Sequence, residues 1–163
     1  MSKPKSADEA TKIGTIAEKI VHDYLVENGW QVTPRRDVAE EKGNKGFDFY
    51  AKKGNEVRKI EVKGTKYEFS IPDMSSSEVI DIEKGIFAAT HLYIVGNLRR
   101  GERPIISILD TKIIKDKVER GEIVLVKKEI VKGYSLNKLG PESEKIIWKK
   151  NFDEYLKSGF YVI

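Results

Sequence analysis

Apolar residues recur at Ile13, Ile16, Ala17, Ile20, Val21, Tyr24 and Leu25. Spacing of three and four residues lines one face of an α-helix. Ser6 followed by Glu9 fits a capping box at its start, and Gly29 suits its end. The period then changes. WQVTP (30–34) reads as a strand that stops before Pro34, and RRDVAEEKGNKG (35–46) as a polar loop. FDFYA (47–51) puts Phe47, Phe49 and Ala51 on one face, and EVRKIEVKG (56–64) does the same for Ile60 and Val62. The short turn KKGN between them predicts an antiparallel hairpin. TKYEFSIP (65–72) is expected to extend the sheet.

Further along, SSSEVIDIEKG (75–85) predicts a second helix, with Ser75 and Glu78 as capping box and Gly85 as stop. HLYIVGNL (91–98) and PIISILD (104–110) are apolar enough for central strands. TKIIKDKVERG (111–121) predicts a short helix whose charged face, Lys112 to Lys117, reads as solvated surface. EIVLVKK (122–128) is strand-like, NFDEYLKSG (151–159) helical, and FYVI (160–163) a closing strand. The order of helix, three strands, helix and two strands predicts an α/β domain, a mixed sheet flanked by helices.

The chain has 163 residues, the size of one domain, with a core at about residues 7–110 and a C-terminal elaboration over 111–163. No apolar run approaches the roughly 20 residues of a membrane-spanning helix. The N-terminal MSKPKSADEA has no hydrophobic stretch, so a cytoplasmic location is expected and no membrane partner. Without cysteine there is no disulfide and no thiolate metal site. His22 and His91 are isolated and read as structural, and Trp30 as a core residue at a strand start. A net charge of +4 permits a nucleic-acid partner without requiring one.

Charged residues inside the hairpin strands carry the chemistry. Side chains alternate along a strand. With Ile60 and Val62 facing the core, Glu61 and Lys63 point together the other way, and Asp48 lies opposite Phe47 and Phe49. Asp48 and Glu61 then approach each other across the hairpin. Two carboxylates at about 4 Å repel by roughly 4 kcal/mol at an effective dielectric near 20. A cation between them removes that cost, and hard divalent ions take such oxygen ligands together with water and phosphate. Lys63 is placed to orient water or to neutralise charge on a phosphate. A solvated strand face with a Glu–Lys pair explains the same letters, and the hairpin pattern alone does not choose between the two.

The segments GTIAEKIVHDYLVENGWQV, GFDFYA and KIEVKGT resemble the PD-(D/E)XK nuclease superfamily. Within it they are similar to the archaeal Holliday-junction resolvases, and more so to protein NO VEIN C-terminal-like domains, whose downstream helix and strand SSSEVIDIEKGIFAATHLYIVGNL also fits. The resemblance covers roughly residues 10–100. It implies a restriction-endonuclease-like fold and Mg²⁺- or Mn²⁺-dependent cleavage of phosphodiester bonds, with DNA as the expected substrate. It further implies that Asp48, Glu61 and the Val62 carbonyl hold the metal, that Lys63 is the catalytic lysine, and that Glu18 helps bind metal or water. By analogy with two-strand cutters it implies a homodimer. The serine or glycine loop that precedes the aspartate in the resolvases is here EEKGNKG, without serine, so junction specificity does not follow.

Arg35 and Arg36 before Asp48, Lys66 after the hairpin, and Arg99, Arg100 and Arg103 in NLRRGERP are candidate nucleic-acid contacts. Arginine suits phosphate because its fork binds two oxygens. Surface turns carry such charges for solubility as well. Tyr67 is placed either to stack on a base or simply to end the strand. Ser75 to Ser77 read as a cap rather than as nucleophiles. The rival to a nuclease is a catalytically silent module that keeps the fold and binds nucleic acid or protein.

Overall fold

The computed structural model describes residues 7–34, 47–67, 76–121, 125–126, 129–130 and 144–158. Helix α1 spans Ala7–Glu27. Its predicted stripe is buried: Ile13, Ile16, Ala17, Ile20, Val21 and Leu25. The helix ends where Gly29 takes φ 85, a left-handed conformation that costs glycine little. Strand β1 (Gln31–Pro34) follows, then β2 (Phe49–Lys53) and β3 (Glu56–Gly64). Strands β2 and β3 form the predicted antiparallel hairpin, with Phe49 opposite Ile60, and β1 adds to the outer edge of β2.

Helix α2 (Ser76–Lys84) crosses over to β4 (His91–Gly96), which pairs parallel to β3. Strand β5 (Ile105–Asp110) returns antiparallel to β4. Helix α3 (Thr111–Glu119) starts on Asp110, whose carboxylate accepts the Lys112 N–H. A separate ribbon pairs β6 (Leu125–Val126) with β7 (Glu129–Ile130). Strand β8 (Glu144–Ile147) joins the main sheet beside β5, and α4 (Phe152–Ser158) closes the described chain. The main sheet has the order β1-β2-β3-β4-β5-β8 and is mixed. This is the α/β class expected, a mixed sheet flanked by helices.

Alternation divides the core into two layers. Phe49, Ile60, Tyr93, Val95, Ile106 and Ile108 pack with α1 and with Phe152 and Tyr155 of α4. Leu92, Ile94 and Leu109 are buried on the opposite side, the side of α2 and α3. Strand β4 is buried on both faces, which explains its unbroken apolar run.

Some expectations change. Thr65 to Tyr67 form a turn rather than a strand, and 68–72 lie outside the described residues. Only Leu125 and Val126 of the strand expected over 122–128 are described as strand, and they pair away from the main sheet. The sheet gains β8, whose EKII carries too few residues to signal a strand. Lys117 is 7% exposed, so the face of α3 is not wholly solvated; a long aliphatic stem tolerates such burial. Trp30 is half-buried, with the Arg58 guanidinium 4.8 Å from its ring centre. The Ser6 and Ser75 caps, residues 35–46 with Arg35 and Arg36, and FYVI lie outside the described residues.

Candidate active site

Strand β3 turns Ile60, Val62 and Gly64 toward α1 and so turns Glu61 and Lys63 to the opposite face. Gly64 makes the α1 contact close: a Cβ there would lie 2.7 Å from the Ala17 Cβ and 3.2 Å from the Ile13 carbonyl oxygen. This brings Glu18, the next residue of the helix, near the end of the hairpin. Asp48 sits just before β2, where its N–H donates to the Ile60 carbonyl at 2.7 Å. The Asp48 Oδ2 accepts the Val62 N–H at 2.8 Å, so the side chain continues the ladder where β2 has ended. N–H and C=O of one strand residue point to the same neighbour, so the Val62 carbonyl also points to the Asp48 side.

The Glu61 carboxyl group lies close enough to that of Asp48 for the two to interact. Burial first, and then Asp48, push Glu61 up to about 8, while the Lys63 charge works the other way. Burial, followed by the Asp48 charge, also raises Glu18 to about 7. The Lys63 Nζ lies 3.4 Å from Glu61 Oε2. Burial opposes its charge, but Glu78 and Glu61 outweigh burial and raise it. Asp48, Glu61 and Lys63 are thus neighbours, and Glu18 lies close enough to Asp48 to feel its charge.

In the sequence, Glu78 shows only the signature of a capping box. It reaches from α2 to Lys63, with oxygens 2.8 and 3.0 Å from the ammonium. The parallel crossover between β3 and β4 carries it there, and no local pattern announces that contact.

The remaining candidates separate. Lys66 and Tyr67 follow β3, and Arg99 and Arg100 follow β4; all four line one cavity. Arg99 lies 5.3 Å from the Tyr67 ring centre and 3.8 Å from Glu102. Arg103 is exposed and does not line that cavity. His91 bonds the Thr90 hydroxyl, and burial lowers its pKa. Trp148 is buried and donates to the Tyr155 hydroxyl.

Among the described residues no group of three or more His, Cys, Asp or Glu side chains is arranged to hold a metal ion. Hard divalent cations are often held by only one or two carboxylates, and Asp48 and Glu61 with the Val62 carbonyl are oxygen donors of that kind that leave room for water and phosphate. A cation between the two carboxylates would offset their repulsion.

The family described as Protein NO VEIN, C-terminal matches residues 17–106, more than half of the chain. The chain belongs to the Protein NO VEIN C-terminal family. The span matched within this NO VEIN C-terminal chain contains Glu18, Asp48, Glu61, Lys63 and Glu78, and ends in β5. Among solved structures it is similar to Archaeoglobus fulgidus Hjc, a Holliday junction resolvase from an archaeal hyperthermophile, with a TM-score of 0.43 and 18% identity over 82% of this chain and 91% of that one. No curated protein matches it. No described helix is long and apolar enough to cross a membrane.

Proposed function

We propose that this protein is a metal-dependent nuclease that hydrolyses phosphodiester bonds of nucleic acid, DNA before RNA. The observation that carries the reading is the Asp48–Glu61 carboxyl pair beside Lys63, one acid just before β2 and the other acid and the ammonium on β3. The motif resemblance to PD-(D/E)XK nucleases supports the same reading. Asp48, Glu61 and the Val62 carbonyl would hold Mg²⁺ or Mn²⁺. When bound, such an ion supplies positive charge at the scissile phosphate and acidifies water.

The chain's own residues do the rest. Asp48 stays in register through the Val62 N–H. Glu61, raised to about 8, would hold the ion in its deprotonated form. The Lys63 ammonium orients the attacking water and donates toward the non-bridging oxygens as charge builds there. Glu18, raised to about 7, exchanges a proton with water near neutral pH. In the reaction a water oxygen gives up one proton to solvent as it bonds to phosphorus, the bond to the leaving oxygen breaks, and that oxygen takes up a proton from solvent.

A second reading has one observation in its favour. Lys63 is already clasped by Glu78, which suits a site kept for structure in a silent binding module. One assay separates the two. Labelled DNA and RNA, single-stranded, duplex and branched, are incubated with Mg²⁺, Mn²⁺ or EDTA. Cleavage that needs the metal is expected. Binding without cleavage of any substrate would establish the silent module instead.

A further inference from the structure

The turn after β3 is tied to the turn after β4. The Thr65 N–H donates to Val95, Leu98 to Thr65, and Asn97 to Tyr67, all to backbone carbonyls. Helix α4 is fastened to the same turn, since Phe152 donates to the Glu102 carbonyl and Gly101 to the Asp153 carboxylate. Between these segments and α1 lies a cavity of about 410 Å³. Its floor is apolar, with Ile13, Leu98, Phe152 and Leu156. Its rim carries Lys12, Lys66, Arg99 and Arg100. Tyr67 stands at the mouth, 61% exposed, with Arg99 over its ring.

We infer that this cavity takes an unpaired nucleotide of the substrate strand, its base on the apolar floor against Tyr67 and its phosphates on the four cations. A surface that followed duplex alone would need only charge, because paired bases are stacked inside and present phosphates outward. An apolar floor with an aromatic wall matches the face of an exposed base, and every base has such a face. The volume falls in the range of small-ligand sites. Four cations exclude an acid-poor apolar peptide as the matching occupant. Lys66 is three residues past Lys63, at most about 10 Å along the chain, so the held nucleotide lies within a few nucleotides of the proposed scissile bond. The substrate class is then nucleic acid with a single-stranded segment beside the cut: an overhang, flap or fork. This rests on the nuclease reading above.

The full chain is titrated, in Ca²⁺, with fluorescent single strand, blunt duplex, and the same duplex carrying an overhang, and anisotropy is read. Cleavage by the wild-type protein in Mg²⁺ is run beside it. Tyr67→Ala is expected to weaken single-strand and overhang binding about tenfold, with blunt duplex unchanged, and Tyr67→Phe to restore it. Tyr67 is exposed, so the variants test contact rather than folding. Equal weakening on all three probes, or none on any, overturns the nucleotide pocket while wild-type cleavage keeps the nuclease reading standing. Absence of both binding and cleavage on every probe overturns both.

Discussion

The Lys63 ammonium sits 2.8 and 3.0 Å from the two oxygens of Glu78 and 3.4 Å from Glu61. One lysine thus joins β3 to α2, and its charge is held in place before any substrate arrives. Lys63→Ala is expected to cut cleavage by about 10²–10³-fold while binding in Ca²⁺ persists. Glu78→Gln removes the clamp but not the amine. It is expected to lower kcat about tenfold with KM little changed. Full activity in Glu78→Gln would make that ion pair merely structural.

The neighbouring carboxyl groups of Asp48 and Glu61 give a thermal prediction. A cation that binds only the folded state stabilises it by about 1.4 kcal/mol at ten times Kd, a rise of roughly 3–6 °C in Tm at this size. Asp48→Asn keeps an acceptor for the Val62 N–H and removes one charge. In EDTA it is expected to melt at or above wild type, and in Mg²⁺ to lose most of the rise. Melting curves that show the full Mg²⁺ response in Asp48→Asn would remove Asp48 from the ligands.

The same carboxyl groups set a pH dependence for the metal-free protein. Glu61 moves from an ordinary 4.5 to about 8 on folding, and Glu18 to about 7. Between these values the folded chain holds more protons than the unfolded chain, so their contribution to stability falls as pH rises from about 4.5 to 8. Denaturant titrations in EDTA at pH 5, 7 and 9 are expected to show this loss, and Glu61→Gln to flatten it. Equal slopes in the two proteins would contradict the buried pair.

Gly64 permits the approach of α1 to β3. Gly64→Ala places a methyl 2.7 Å from the Ala17 Cβ, so the helix must shift. A loss of about 1–3 kcal/mol in stability is expected. Because Glu18 moves with the helix, activity is expected to fall beyond what the unfolded fraction explains. A fully folded and fully active Gly64→Ala would show that the spacing has slack.

Binding is expected to weaken steeply with salt, because phosphate contacts release counterions. Replacing Arg99 and Arg100 with Gln should lower the slope of log K against log salt by about 1 to 2. Arg35 and Arg36 replaced together should act similarly. Lys112 and Lys115 of α3 serve as controls with little effect; the buried Lys117 is unsuited to that use. A larger change from the controls would move the nucleic-acid path from the cavity beside α1 to the surface of α3.

Much of the candidate site was legible in the chain because strand periodicity is local. Once Ile60 and Val62 face inward, Glu61 and Lys63 must share the other face, and a turn as short as KKGN forces Asp48 toward them. The stripe of α1 and the double burial of β4 were readable for the same reason. Other features depend on which elements become neighbours, and no short segment encodes that choice. Helix α2 carries Glu78 onto Lys63 only because β4 docks parallel to β3. Strand β8 has too few apolar residues to announce itself and exists through its pairing with β5. The cavity around Tyr67 is assembled from α1, two turns and α4, residues up to 144 positions apart in sequence between Lys12 and Leu156. Local alternation determined the faces; long-range packing free energy decided which faces meet.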